Sequence, residues 1–210
     1  MEQKLHTPEG VRDIYSKECE IKLALQKKLS KVLHLYGYQD IQTPTLEYYE
    51  VFRKEIGSTS TQELYKLFDR EGNILALRPD ITPSVARAAA TLFENEEKPV
   101  RLCYAGNTFI NHSSYQGRLK ENTQLGAELI GLDSVEADAE LIAMVADGLK
   151  QVGLKEFQIS LGHVDFVKSL MEAAGLGEEE SHEIRELIAN RNFFGVEELL
   201  DGRKVKPAIR

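Results

Sequence analysis

Two strand-like segments, residues 100–109 and 124–132, are separated by a short polar loop that contains Gly117. Segments so close in sequence favour antiparallel pairing, because a parallel pair needs a long crossover connection. A second pair of apolar runs, within LYKLFDREGNILALR, flanks the turn residues 70–73 and predicts a β-hairpin. An antiparallel sheet is therefore the feature that most constrains the fold.

Three segments with apolar residues at helical spacing surround these strands. The first predicted helix spans Ser16–Leu35, with Ser16 as N-cap and Gly37 as terminator. The second has Thr82 as N-cap and Pro83 at its first position. The third is capped by Ser134 and is stopped by Gly153. The face of the first helix that carries Leu25, Leu29 and Val32 is expected to pack on the sheet. Residues 157–162 predict a strand, and residues 164–174 and 180–190 predict helices.

The order of these elements is typical of an α+β fold in which helices flank an antiparallel sheet. The best candidate for a boundary is the segment from Gly175 to Glu180, beyond which the chain is predicted to be helical. We therefore predict one domain over residues 1–175 and a helical appendage over residues 176–210.

Charge, hydropathy and cysteine content exclude several classes of protein. The net charge of −8 disfavours nucleic acid as a partner, because no basic face is gathered to offset it. No run approaches the roughly 20 apolar residues of a membrane span. Two cysteines, without CxxC spacing, predict neither a disulfide framework nor a metal site, and fit the reducing cytoplasm.

The usual catalytic motifs, such as GxSxG, the Walker A lysine and HExxH, do not occur in the sequence. The five histidines are scattered without the spacing of metal ligands. We therefore assign no catalytic residue, no metal ligand and no cofactor.

Polar side chains at two strand ends form the one group of residues that predicts a binding site. Gln124, Gly126 and Glu128 alternate along a strand and so share a face, on which glycine leaves room for a ligand. Asp80 and Thr82 stand where another strand meets a helix. Two carboxylates with a hydroxyl and an amide suit a cationic ligand, such as an ammonium or an imidazolium.

A purely structural role for the two carboxylates is the alternative. Asp80 and Glu128 would then be exposed strand ends or would pair with an arginine, the candidates being Arg78, Arg87 and Arg118.

Four stretches, TPEGVRDIY, LRPDITPSVARA, RLCYAGNTF and GRLKENTQLGAELIG, resemble in the same order the N-terminal landmarks of the histidyl-tRNA synthetase family. The resemblance implies a class II aminoacyl-tRNA synthetase-like fold. It also implies histidine as ligand, with Asp80 in place of the family glutamate, Thr82 at the family threonine, and Gln124 and Glu128 as the polar pair that holds the ammonium and the ring. The histidine-binding and glycine-rich motifs that follow in synthetases do not occur before Arg210, so the chain resembles an N-terminal portion.

Ile110 stands where class II synthetases place the arginine that binds the ATP α-phosphate. A chain that binds histidine without activating it is similar to the family of regulatory subunits of ATP phosphoribosyltransferase. That resemblance implies a short-form catalytic subunit as partner, homodimers within a hetero-oligomer, and histidine sensing. Two alternatives stay open: a histidyl-tRNA synthetase fragment in which Arg118 and Lys120 bind phosphate, and a dimer scaffold with a vestigial pocket.

Overall fold

The computed structural model describes residues 5–53, 60–112 and 117–201. These residues form two compact units, which divide between Lys155 and Glu156. The boundary predicted from the sequence, at residue 175, lies within the second unit and stays a prediction about domains. Residues 202–210 of the predicted appendage lie outside the described residues.

The first unit contains four helices and six strands within the described ranges. In chain order they are α1 (Ser16–Leu35), β1 (Gln39–Asp40), β2 (Leu46–Tyr48), α2 (Glu50–Arg53), β3 (Lys66–Phe68), β4 (Ile74–Leu77), α3 (Thr82–Leu92), β5 (Val100–Phe109), β6 (Glu121–Ile130) and α4 (Val135–Gln151). A short 3₁₀ turn, Thr61–Glu63, precedes β3.

Antiparallel pairing dominates both sheets, as the sequence predicts. Strands β5 and β6 pair in register from Val100 opposite Ile130 to Phe109 opposite Glu121. The predicted hairpin is β3 and β4, and β2 completes that second sheet in the order β2-β4-β3. The sequence did not indicate the short parallel pairing of β1 with β5.

The two faces of the β5–β6 ladder are covered by different helices. Residues that pair across the ladder project to the same face, and successive residues of one strand project to opposite faces. Cys103 belongs to a core with Val32 of α1 and Met144 of α4. Tyr104, on the opposite face, belongs to a core with Ile81 and Val85 at the start of α3. The α3 side of the ladder therefore carries the polar side chains predicted to bind a ligand.

Helix α1 has the predicted bounds but packs differently in part. Val32 is buried, whereas Leu25 is 42% exposed and Leu29 approaches Gly148 of α4. The predicted N-cap is wrong, since Ser16 is the first helical residue and no side chain caps this end. Gly37 adopts the left-handed conformation expected of a residue that ends a helix, with φ of 84°.

The second unit contains helices α5 (Val164–Ala173), α6 (Glu178–Ala189) and α7 (Phe193–Leu200), around a core of Met171, Ile184 and Leu200. The predicted strand over residues 157–162 is wrong. This segment has no regular structure, because no described strand pairs with it. No helix in the described ranges has the length and apolar character needed to cross a membrane.

Candidate functional site

The four residues predicted to bind a ligand lie together and form one hydrogen-bonded network. The Thr82 hydroxyl donates to Oε1 of Glu128 over 2.7 Å. The Gln124 amide donates to Oδ1 of Asp80 over 2.8 Å. Each bond joins the start of α3 to β6, so the two strand ends predicted separately from the sequence meet at one site.

Backbone N–H groups at the start of α3 hold this network in place. The N–H of Ile81 donates to Oε1 of Gln124 over 3.0 Å, and that of Thr82 donates to Oδ1 of Asp80 over 3.2 Å. These two acceptors satisfy donors that a helix start leaves without intrahelical partners. Thr82 is the first residue of α3 and its side chain binds Glu128, so its predicted role as N-cap is wrong.

Tyr104 belongs to the same network, although the sequence did not single it out. Its hydroxyl donates to Oε1 of Glu128 over 3.0 Å and lies 3.2 Å from the Thr82 hydroxyl. Burial raises the pKa of this phenol well above its usual value, so Tyr104 stays protonated as a donor. The strand register could have revealed it, because Tyr104 pairs directly with Gly126.

The space beside Gly126 is occupied by Tyr104. A Cβ atom added at Gly126 would lie 2.5 Å from the Tyr104 hydroxyl oxygen and 2.6 Å from its Cζ. The prediction that this glycine leaves room for a ligand is therefore wrong: it makes room for the tyrosine, which in turn orients Glu128. A cavity of about 140 Å³ borders the same tyrosine and is also lined by Thr43, Arg78 and Ile81.

Two of the three arginines considered as structural partners, Arg78 and Arg87, bind elsewhere. The buried Arg78 guanidinium donates to backbone carbonyls, among them Asn107 O and Thr43 O at 2.8 Å each. Arg87 pairs with Glu47 over 2.7 Å. In the described part of the chain, no salt bridge involves Asp80 or Glu128.

The geometry leaves acceptor capacity for a cation. Oδ1 of Asp80 and Oε1 of Glu128 take part in the network, and neither Oδ2 nor Oε2 has a hydrogen-bond donor among the described residues. Both carboxylates are only partly exposed. A partly buried pair of carboxylates with free acceptor oxygens favours a ligand that carries ammonium or ring N–H donors.

The strand end after Phe109 is organised by a histidine and a glutamate. The N–H of Asn111 donates to Glu63 O over 2.8 Å, and His112 Nδ1 lies 3.1 Å from Glu63 Oε1. Ile110 pairs through its N–H with Lys120 O at 2.9 Å. The two contacts with Glu63 join the segment after β5 to the 3₁₀ turn.

The two cations considered as substitutes for a phosphate-binding arginine lie beside the N-terminal segment. Arg118 and Lys120 line a cavity of about 220 Å³ together with Glu9, Gly10 and Val11. The side-chain stem of Lys120 packs against Gly10.

Comparison with known proteins places these features in a family. A model described as histidyl-tRNA synthetase matches residues 10–210. A curated protein from Acetivibrio thermocellus, named ATP phosphoribosyltransferase regulatory subunit, is 43% identical over 209 residues, which are 100% of this chain and 50% of that protein. The chain spans about half the length of the curated relatives it matches.

Solved structures agree with the sequence relatives. A protein from Bacillus halodurans, described as an ATP phosphoribosyltransferase regulatory subunit/histidyl-tRNA synthetase, is 34% identical with a TM-score of 0.87, over 98% of this chain and 53% of that one. A histidine–tRNA ligase subunit from Alicyclobacillus acidocaldarius is 25% identical with a TM-score of 0.83, over 99% and 60% of the two chains. The predicted α+β fold of the class II synthetase type is confirmed.

Proposed function

Because the chain belongs to the histidyl-tRNA synthetase family, we propose that it is part of a regulatory subunit of ATP phosphoribosyltransferase. In this proposal the full-length protein senses histidine and is required for the first step of histidine biosynthesis. The names of the curated relatives support it. The hydrogen-bonded network of Asp80, Thr82, Gln124 and Glu128 is the observation that carries it, because its free acceptors suit the donors of histidine.

The α-ammonium of histidine binds Asp80 and Thr82 in this proposal. The Thr82 hydroxyl uses its hydrogen in the bond to Glu128, so its lone pairs are left for an ammonium N–H. Oδ2 of Asp80 supplies a charged acceptor next to it. The Gln124 amide holds the Asp80 carboxylate from the other side.

The imidazole ring binds Glu128 in the same proposal. Oε1 already accepts from Thr82 and Tyr104, which fixes the orientation of the carboxylate. Oε2 then accepts a ring N–H, and a hydrogen bond to a charged group of this kind is worth about 1.5–3 kcal/mol.

We also propose that the protein has no adenylation activity of its own. Ile110 cannot supply the charge that an arginine at this strand end would give to a phosphate group, and such contacts stabilise a transition state strongly. The reaction is then performed by a separate short-form catalytic chain of ATP phosphoribosyltransferase. Homodimers of the regulatory chain assemble with this catalytic chain into a hetero-oligomer. Free thiols at Cys19 and Cys103 fit a cytoplasmic location.

A histidyl-tRNA synthetase is the second candidate, favoured by the name of the Alicyclobacillus acidocaldarius relative. It requires a cation other than residue 110 to bind the ATP phosphates. Arg118 and Lys120 are the candidates, although both line the cavity beside residues 9–11.

Calorimetric titration of the full-length protein with histidine, and separately with ATP, tests these functions. Histidine binding alone is the expected result. Binding of both ligands, together with histidine-dependent pyrophosphate exchange, would identify a synthetase. Binding of neither would leave a dimer scaffold. Co-purification with a catalytic ATP phosphoribosyltransferase chain, and loss of that chain's activity when the regulatory protein is omitted, tests the partnership independently.

A further inference from the structure

Three side chains that can bind a metal converge on the opposite face of the sheet from the histidine site. His34 Nε2 lies 3.0 Å from Asp40 Oδ2, and the Cys103 thiol lies 3.5 Å from Asp40 Oδ1. One ligand atom from each residue lies within 4.8 Å of the other two. Cys103 is 63 positions from Asp40 in the sequence, which is why no spacing motif indicated the three residues.

The backbone fixes the three positions. Asp40 and Cys103 are partners in the parallel pairing of β1 with β5, and the N–H of Ile41 donates to Cys103 O over 2.9 Å. His34 lies in the last turn of α1, and the left-handed Gly37 turns the chain from that helix into β1. The ligands therefore come from three elements whose relative placement is set by the core of the first unit.

We propose that His34, Asp40 and Cys103 form a binding site for a divalent transition metal of the Zn²⁺ class. A tetrahedral zinc site with bonds of about 2.0–2.3 Å separates its ligand atoms by about 3.3–3.7 Å. The observed separations of 3.0 and 3.5 Å run to different carboxylate oxygens of Asp40, and one ligand atom from each residue lies within 4.8 Å of the other two, so rotation of the exposed His34 and Asp40 side chains is needed to bring the three around one ion. The mixed nitrogen, oxygen and sulfur set disfavours Mg²⁺ and Ca²⁺, which prefer oxygen ligands alone.

Binding exchanges a proton for the metal at Cys103. The thiol proton leaves to solvent as the metal–sulfur bond forms, while neutral His34 binds through Nε2 and Asp40 through a carboxylate oxygen. Burial and the neighbouring Asp40 raise the pKa of the Cys103 thiol to about 11, so the apo site holds the neutral thiol. One thiolate and one carboxylate balance the charge of the ion, and solvent fills the fourth position on the exposed side of His34 and Asp40.

An ordinary surface ion pair beside a buried cysteine is the competing explanation. His34 and Asp40 have side chains that are 46% and 69% exposed, and exposed pairs of this kind contribute little. Such a pair does not require the buried sulfur to face it. Cys103, which is 1% exposed within an apolar core, directs its thiol at the same carboxylate.

Titration of the metal-free full-length protein with Co²⁺ tests the site, since four-coordinate cobalt reports thiolate ligation through a charge-transfer band and intense visible bands. We expect one Co²⁺ per chain, displaced by Zn²⁺. His34→Gln, Asp40→Asn and Cys103→Ser should each weaken binding by more than about tenfold, because even loss of a supporting partner typically costs about 10–100-fold. The matched control is Cys19→Ser, which removes the other described free thiol and should leave the spectrum unchanged.

The proposal is overturned if Co²⁺ gives no thiolate band, if His34→Gln leaves the Co²⁺ affinity unchanged, or if Cys19→Ser abolishes the band. Circular dichroism and thermal melting show whether the buried Cys103→Ser variant folds. If it does not fold, the two variants at the exposed positions decide the outcome. The site lies apart from the histidine network, so the result is independent of the proposed function.

Discussion

The hydroxyl of Thr82 donates to Oε1 of Glu128 over 2.7 Å, and this bond joins the first residue of α3 to the C-terminal part of β6. The carboxylate is thereby oriented by the helix start on one side and by Tyr104 on the other. Its second oxygen is left for a ligand.

Glu128→Gln should weaken histidine binding by the full-length protein about tenfold to a hundredfold. The variant keeps the shape of the side chain but removes its charge, and a charged hydrogen bond contributes about 1.5–3 kcal/mol. Calorimetry measures the affinity, and histidine inhibition of the assembled enzyme should weaken in parallel while assembly persists. Glu121→Gln is the control, because Glu121 lies on the other face of the same strand and binds Asn107. Equal affinities for wild type and Glu128→Gln would refute the assignment.

Gly126→Ala should destabilise the protein by about 1–3 kcal/mol, the usual cost of an added methyl group in a packed site. The new Cβ would collide with the Tyr104 ring, whose Cζ would lie 2.6 Å away. Denaturant unfolding measures the change, and histidine affinity should fall with it because Tyr104 orients Glu128. At Gly162 the corresponding Cβ meets nothing within 4 Å, so Gly162→Ala should have little effect. A neutral Gly126→Ala would show that Tyr104 can move aside freely.

Arg87→Ala should lower the free energy of unfolding by about 2–3 kcal/mol, because it leaves the carboxylate of Glu47 without its hydrogen-bonded partner. Glu47 is only 7% exposed. The expected loss is smaller than for a fully buried pair, since Arg87 is partly exposed and Arg78 also interacts with Glu47 electrostatically. Arg12→Ala, which breaks an exposed pair with Glu18, is the matched control and should leave the unfolding midpoint unchanged. Similar midpoints for both variants would contradict the prediction.

The free energy of unfolding should fall in acid as Glu140 becomes protonated. Hydrogen bonds, first from Arg101 and also from Tyr38, hold the pKa of this carboxyl below its usual value. A lowered folded-state pKa contributes stability above the unfolded-state pKa and loses it as pH falls through the folded value. Wild type should therefore exceed Glu140→Gln in stability at neutral pH, with a gap that narrows below about pH 4.5. Arg101→Gln should remove the same pH dependence, and a gap that stays constant into acid would show that the pair contributes nothing.

Local patterns in the sequence determined the elements and one face of the site. The bounds of α1, the β3–β4 hairpin and the antiparallel partners of the long ladder follow from periodicity and turn residues, which act over a few neighbouring positions. The alternation of Gln124, Gly126 and Glu128 predicted a shared face for the same reason.

Only the tertiary structure decided which groups meet across elements. Tyr104 fills the space beside Gly126, and His34, Asp40 and Cys103 converge, because strand register and helix packing bring together residues that are distant in the chain. The strand predicted over residues 157–162 does not form, for the same reason. These residues have the composition of a strand, yet a strand forms only where a partner backbone accepts its hydrogen bonds. Composition records local preference, whereas pairing and convergence depend on contacts between distant parts of the chain.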